Sequence, residues 1–317
     1  MKSIIITGQT ATGKTSFALD LAKKINGELI NCDSRQVYKH LNIITGKDIG
    51  SHRFHKSSNL NAFDIGYYNS SCNNETMQQY NNAIPIWLYD IIDPKQYFSS
   101  YDYVQCAKYI VDNIFQRGKT PIFVGGTYLY IKHLLYGVDT ERIPPDQKLR
   151  NELVSKTIHE LQTILQHESR EIFEALNEGD RNNPQRLIRK IEIAQSRRDV
   201  INHVATNTKI PLPIQETEII GLKFRHKEML INAIKSRVEE RIKNGALEEV
   251  ENLLKQGYNE QDPGLRTIGY TQIIQYLKKQ ISWETTISQW ITKEVQYAKR
   301  QMTFMKKDRH IRWIEIG

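Results

Sequence analysis

The run Gly8-Gln9-Thr10-Ala11-Thr12-Gly13-Lys14-Thr15 constrains this chain more than any other stretch, because it is a complete GxxxxGKT phosphate loop. Ahead of it stands the apolar run Ser3-Ile4-Ile5-Ile6-Thr7, which reads as a short buried strand. Behind it stands a helix carrying Phe17, Leu19, Leu21 and Ile25 between polar positions. That context is what the loop requires: its backbone N–H groups turn inward, and the positive end of the following helix adds to them. Gly8, Gln9, Thr10, Ala11, Thr12, Gly13, Lys14 and Thr15 are therefore expected to bind a diphosphate. Lys14 supplies a cation, and the Thr15 hydroxyl is the expected protein ligand of Mg2+, the one cofactor implied. The motif specifies a diphosphate, not ATP in particular.

Strand, loop and helix open an α/β fold. Further strands are predicted at Glu28–Asn31, Ile86–Ile91 and Pro121–Val124, with a helix over Tyr103–Gln116. This alternation predicts a P-loop NTPase-like parallel sheet flanked by helices. The stretch Asn59–Asn74, rich in Asn and Ser, is expected to be a surface loop. After Pro144-Pro145 only helical patterns follow, at Asp146–Ser155, Ile158–Gln166, Arg170–Leu176 and Pro184–Arg197. The expected organisation is a core over 1–142, an inserted all-helical lobe over 143–205, and the rest of the core over 206–317, with long helices from Lys227 onward.

Composition narrows the function classes. Apolar residues at 39% and charged residues at 25% fit a globular protein, and no apolar run approaches the ~20 residues of a membrane span. The N-terminus lacks the basic start and small-residue cleavage site of a signal peptide, so a cytoplasmic protein is expected. Cys32, Cys72 and Cys106 are scattered and odd in number, which points to neither disulfides nor a zinc site. The 44 Lys and Arg against 36 Asp and Glu give a formal charge of +8, suited to a polyanionic partner.

Beyond the phosphate loop lie further blocks: Asp33-Ser34-Arg35-Gln36-Val37-Tyr38, Leu41–Lys47, Asp90-Ile91-Ile92-Asp93-Pro94 and Val124-Gly125-Gly126-Thr127-Tyr128-Leu129-Tyr130. Later come Asn183-Pro184-Gln185-Arg186-Leu187-Ile188-Arg189, Arg266-Thr267-Ile268-Gly269-Tyr270 and Ala298-Lys299-Arg300-Gln301 with Phe304. In this order they resemble the tRNA dimethylallyltransferase family over nearly the whole chain. The sequence departs from that family at Trp87-Leu88-Tyr89, where a histidine pair is usual, and at Thr45-Gly46-Lys47-Asp48. The Asn/Ser-rich stretch looks like an insertion of some two dozen residues relative to the usual pattern.

The resemblance implies transfer of a dimethylallyl group from dimethylallyl diphosphate to the exocyclic N6 amine of the adenosine 3′ of a tRNA anticodon. It implies that Asp33 is the general base and Thr127 a hydrogen-bonding group at the reaction centre, and that Arg241, rather than Arg237, reaches the diphosphate. The other readings of Asp33 in this position are a helix cap and a magnesium ligand. For the tRNA anticodon arm the resemblance points to Asp33, Ser34, Arg35, Gln36, Thr127, Arg150, Gln185, Arg186, Leu187, Ile188, Arg189, Arg266, Gly269, Tyr270, Lys299, Arg300 and Gln301. The basic clusters, taken singly, are also what solvated helix faces look like. A monomer is expected. Two other readings fit the phosphate loop: a small-molecule or nucleotide kinase, and a non-catalytic RNA-binding adaptor.

Overall fold

Apolar residues that alternate between two cores place the central strands. In β1 (Lys2–Gly8) Ile5 enters one core while Ile4 and Ile6 enter the other, the period of two that a sheet covered on both faces demands. β2 (Gly27–Asn31) and β6 (Thr120–Val124) repeat the pattern, with Ile30 and Phe123 on the first face and Leu29, Ile122 and Val124 on the second. The structure is a computed structural model and describes residues 2–47, 53–60, 62–70, 83–137, 143, 145–200 and 216–317, without the side chains of 197–200 and 216.

The chain divides into two compact units, Met1–Leu135 with Leu212–Gly317, and Tyr136–Pro211. The helical unit's bounds lie outside the expected 143–205, and 138–142 and 201–215 are outside the described residues. The first unit holds an eight-stranded sheet in the order β3-β4-β5-β2-β6-β1-β7-β8. The six strands from β5 (Ile84–Trp87) through β7 (Glu216–Phe224) to β8 (Ile311–Ile316) are mutually parallel. The parallel α/β sheet matches the predicted fold class.

Three local expectations are corrected. Asn59–Asn74 is largely not a loop where it is described: β3 (Phe54–Leu60) and β4 (Phe63–Ser70) pair antiparallel at one sheet edge, while 61 and 71–74, with Cys72, lie outside the described residues. Phe63 and Ile65 enter the core from β4, which outweighs the polar composition around them. The strand expected over Ile86–Ile91 ends at Trp87, because Leu88 (φ 67°) and Asp90 (φ 56°) turn the chain out of the sheet. The helix expected from Tyr103 begins earlier, as α2 (Ser100–Gln116), since Ser99 and Asp102 form a reciprocal capping box. Strands β7 and β8 were not expected from the sequence.

α1 (Lys14–Ile25) and α3 (Tyr128–Tyr136) follow β1 and β6, and α9 (Lys227–Lys243), α10 (Ala246–Lys255), α11 (Tyr270–Leu277) and α12 (Trp283–Met305) complete the first unit. The second unit contains α4 (Gln147–Leu153), α5 (Ile158–Glu168), α6 (Arg170–Glu174), α7 (Glu178–Arg181) and α8 (Pro184–Val200). Its core is Leu153, Leu161, Leu165, Leu176, Leu187, Ile188, Ile191 and Ala194.

Glu192 is buried in this unit and takes a two-pronged bond from Arg150 (2.6 and 2.9 Å), another from Arg189 (2.9 Å) and the Asp146 N–H (3.0 Å). Burial pushes its carboxyl pKa up, but the bonds from Arg150 and Arg189 outweigh this and hold it below the ordinary value. A depressed carboxyl pKa contributes stability above the unfolded pKa and loses it as pH falls through the folded one. Glu192→Gln is therefore expected to cost about 2–4 kcal/mol at neutral pH, with less difference from the parent in acid. Urea melts of both proteins across that range measure it.

Candidate functional site

The carboxyl ends of three adjacent strands, β2, β6 and β1, converge, which is where open α/β sheets bind ligands. At the end of β1 the chain enters the phosphate loop through Gly8 (φ 136°), where a Cβ would stand 2.1 Å from the Leu222 carbonyl oxygen of β7, so only glycine fits. The Thr12 hydroxyl and Lys14 Nζ both donate to the Gln9 carbonyl, at 2.8 and 2.6 Å, and Gly13 (φ 70°) opens α1. Burial and the neighbouring Arg237 lower the Lys14 ammonium to about 8, partly opposed by Asp33. A cavity of about 660 Å³ lies against this loop, lined by Thr10 to Ser16, Asp33, Gln36, Gly125, Arg237, Arg241 and Gln301 among others.

Opposite the loop, just past β2, Asn31 fixes the turn that carries Asp33: its Oδ1 accepts the Asp33 N–H at 2.9 Å, and its Nδ2 donates to the Asp33 and Leu88 carbonyls at 3.1 Å each. Asp33 Oδ1 accepts the Arg35 N–H at 2.9 Å, and Oδ2 has no hydrogen bond among the described residues. Thr127, just past β6, accepts the Ser34 N–H at 3.0 Å and donates to the Ser34 hydroxyl at 3.3 Å. Gln36 donates to the Thr45 and Gly46 carbonyls, at 3.1 and 2.9 Å. Its side chain is thereby committed to holding the 41–47 segment. Arg35 is exposed.

Both arginines of α9 reach the cavity. Arg241 is buried and pairs with Glu294 at 3.4 Å. Arg237, set aside in the sequence reading, is the one that touches the phosphate loop, through the Thr10 hydroxyl. The signal was the pair's four-residue spacing, which puts both on one helix face and leaves the choice to the docking of α9. Tyr297 of α12 was also missed: burial first, with the nearby Asp33 next, pushes its phenol pKa up.

The residues expected to meet RNA separate into two groups. Gln185, Arg186, Arg266, Lys299 and Arg300 are exposed, with Arg186 paired to Asp180. Apart from Thr127 and the turn carrying Asp33, Ser34 and Arg35, the others are committed to the fold. Leu187 and Ile188 are core residues of the helical unit, so their side chains pack there instead of against RNA. Arg150 and Arg189 are held by Glu192. Tyr270 is buried and donates to Glu249 at 2.5 Å. Gly269 (φ 95°) leaves no space for a Cβ beside Ile44 and Trp290. Gln301 is buried between the phosphate loop and Gly126, with its amide bonded to both.

Magnesium fits the donor set: the Thr15 hydroxyl and the Asp33 carboxylate both line the cavity, and a hard cation that keeps several waters needs only one or two protein oxygens beside phosphate. Among the described residues no group of three or more His, Cys, Asp or Glu could hold a metal by itself. No helix among them is long and apolar enough to cross a membrane.

Comparison with known proteins gives the lineage of this arrangement. The tRNA dimethylallyltransferase of Thermoanaerobacter sp. (strain X514) is 34% identical over 315 residues, 99% of this chain and 91% of that protein. The protein of the same name from Staphylococcus aureus (strain bovine RF122 / ET3-1) is 30% identical over 98% of this chain and 92% of its own length. Among solved structures, the full-length tRNA isopentenylpyrophosphate transferase from Bacillus halodurans superposes with a TM-score of 0.64 at 27% identity, covering 99% of this chain and 89% of that one. A eukaryotic dimethylallyltransferase caught acting on tRNA superposes with a TM-score of 0.71 at 25% identity, covering 99% and 73%. The family model described as IPP transferase matches residues 71–308. With three quarters of its length matched by that family, and with relatives aligned end to end, the chain belongs to the IPP transferases.

Proposed function

We propose that this protein transfers a dimethylallyl group from dimethylallyl diphosphate to the N6 amine of the adenosine 3′ of a tRNA anticodon, releasing diphosphate. One observation carries the proposal. A phosphate loop and an Asp33–Ser34–Thr127 cluster stand at the ends of neighbouring strands in a chain of the IPP transferase family.

An adenine exocyclic amine is a weak nucleophile, because its lone pair is delocalised into the ring. Asp33 takes its proton as the N–C bond forms and the allylic C–O bond breaks. The electron pair of that bond leaves with the diphosphate. Lys14, Arg237, Arg241 and the loop N–H groups meet the charge where it develops, which favours the transition state over the bound substrate. Thr127, held by Ser34, would bond the reacting groups. Magnesium, held by the Thr15 hydroxyl, would neutralise part of the diphosphate charge. The adenosine must leave its stack to reach this centre. Ser34 and the exposed Arg35 are the groups of the first unit that would read it, while Gln185, Arg186, Arg266, Lys299 and Arg300 would bind the anticodon arm. A tRNA substrate fits a cytoplasmic enzyme.

Ligand-dependent melting tests the donor. Dimethylallyl diphosphate with magnesium raises the melting temperature, because it binds the native state; the kinase reading requires ATP to do so instead. For tRNA, the logarithm of affinity falls linearly with the logarithm of salt concentration, each phosphate contact contributing about 0.7 to 0.9. Arg186→Ala and Arg300→Ala each flatten the line by roughly that amount. Filter binding over a salt series measures it, and a slope near zero removes tRNA as the partner.

A further inference from the structure

We infer that Gln301 is a positioning residue for the transfer reaction, a single amide that fixes the donor-binding loop against the segment carrying Thr127. The inference rests on the function proposed above. Gln301 Oε1 accepts the Thr10 N–H of the phosphate loop at 2.9 Å, and Nε2 donates to the Gly126 carbonyl at 3.0 Å. Only this orientation of the amide satisfies both partners. Gln301 is 6% exposed, so loss of either bond leaves a buried polar group without its partner.

Each end continues into the reaction centre. Thr10 accepts a bond from Arg237 through its hydroxyl, so the same residue links Gln301 to the cation beside Lys14. Gly126 precedes Thr127, which bonds the Ser34 backbone and hydroxyl next to Asp33. The parts that hold diphosphate and the parts that act on the amine are thus joined through one side chain from α12. The chain leaves space for this and nothing else: a Cβ on Gly126 would stand 2.1 Å from Gln301 Nε2. In-line transfer depends on this distance, because small misplacements of reacting groups are costly in rate.

Gln301→Glu separates the two bonds. The carboxylate keeps an acceptor for the Thr10 N–H but sets oxygen against the Gly126 carbonyl oxygen; protonated, it donates there again. The expected result is a kcat lowered by roughly tenfold to a hundredfold at about pH 8, with donor KM little changed. The ratio of variant to parent activity should recover as pH falls towards about 6. Gln301→Leu, which loses both bonds, lowers kcat, raises donor KM and shows no recovery.

Steady-state kinetics with tRNA and dimethylallyl diphosphate, beside thermal melting and tRNA binding, decide it. A parent protein without transferase activity overturns the proposed function itself. With an active parent, three results overturn the role of Gln301 alone: either variant keeping kcat within about twofold; a Gln301→Glu deficit that is constant with pH and matched by lost melting temperature; or weakened tRNA binding with normal kcat at saturation.

Discussion

Asp33→Asn slows the chemical step by about 10²–10⁴-fold while binding of donor and tRNA barely changes. The substitution keeps shape and keeps the turn, since an asparagine Oδ1 accepts the Arg35 N–H that Asp33 Oδ1 accepts at 2.9 Å, and Asn31 still holds the backbone. What it removes is the proton acceptor at Oδ2. Single-turnover rates at saturating donor and tRNA, donor titration and melting distinguish the three roles open to this carboxylate. As a base, it affects rate alone. As a magnesium ligand, it affects donor affinity together with rate, and added magnesium restores part of both. As a turn-former, it affects melting by a few tenths to about 2 kcal/mol and leaves turnover intact. A rate within about threefold of the parent removes Asp33 as the base.

Lys14→Ala lowers kcat/KM for dimethylallyl diphosphate by roughly tenfold to two-hundredfold, the worth of one charge-assisted bond of about 1.5–3 kcal/mol. The fold should survive. Among the described residues Lys14 Nζ bonds only the Gln9 carbonyl, and Arg237 already acts against its charge, so removal relieves repulsion as well as losing a bond. Donor titration and melting of the same preparation check both halves. A variant that uses donor like the parent shows that the diphosphate does not sit in the loop.

The phosphate loop and the strands around it were legible because their requirements are local. Gly8 and Gly13 have positive φ, and the β1 isoleucines alternate between two cores whatever lies further along the chain. The β3–β4 pair was hidden by composition, although Phe63 and Ile65 carry the alternation of a half-buried strand. β8 was lost among helices because Ile311–Ile316 is short, and its pairing with β7 is visible only in three dimensions.

Site residues divide along the same line. Asp33, Thr127 and Lys14 lie directly after strands or at the start of a helix, where topology alone brings them together. Residues read from basic or polar runs on helices carried no such constraint. Leu187, Ile188, Tyr270 and Gln301 turn inward, and Arg150 and Arg189 serve a buried carboxylate, because the packed face of a helix depends on its neighbours. Arg237 was passed over for the same reason: four residues separate it from Arg241, and only the docked helix shows which one meets Thr10.

Mass analysis of digested tRNA tests the central claim most directly. Unmodified tRNA incubated with the protein, magnesium and dimethylallyl diphosphate should yield one adenosine, 3′ of the anticodon, heavier by a C5H8 unit, with one diphosphate released per modified tRNA. Leaving out the donor, or substituting Asp33→Asn, should abolish or strongly reduce the product. Unchanged nucleosides under conditions where the donor binds and the protein is folded would contradict the assignment of this site to prenyl transfer.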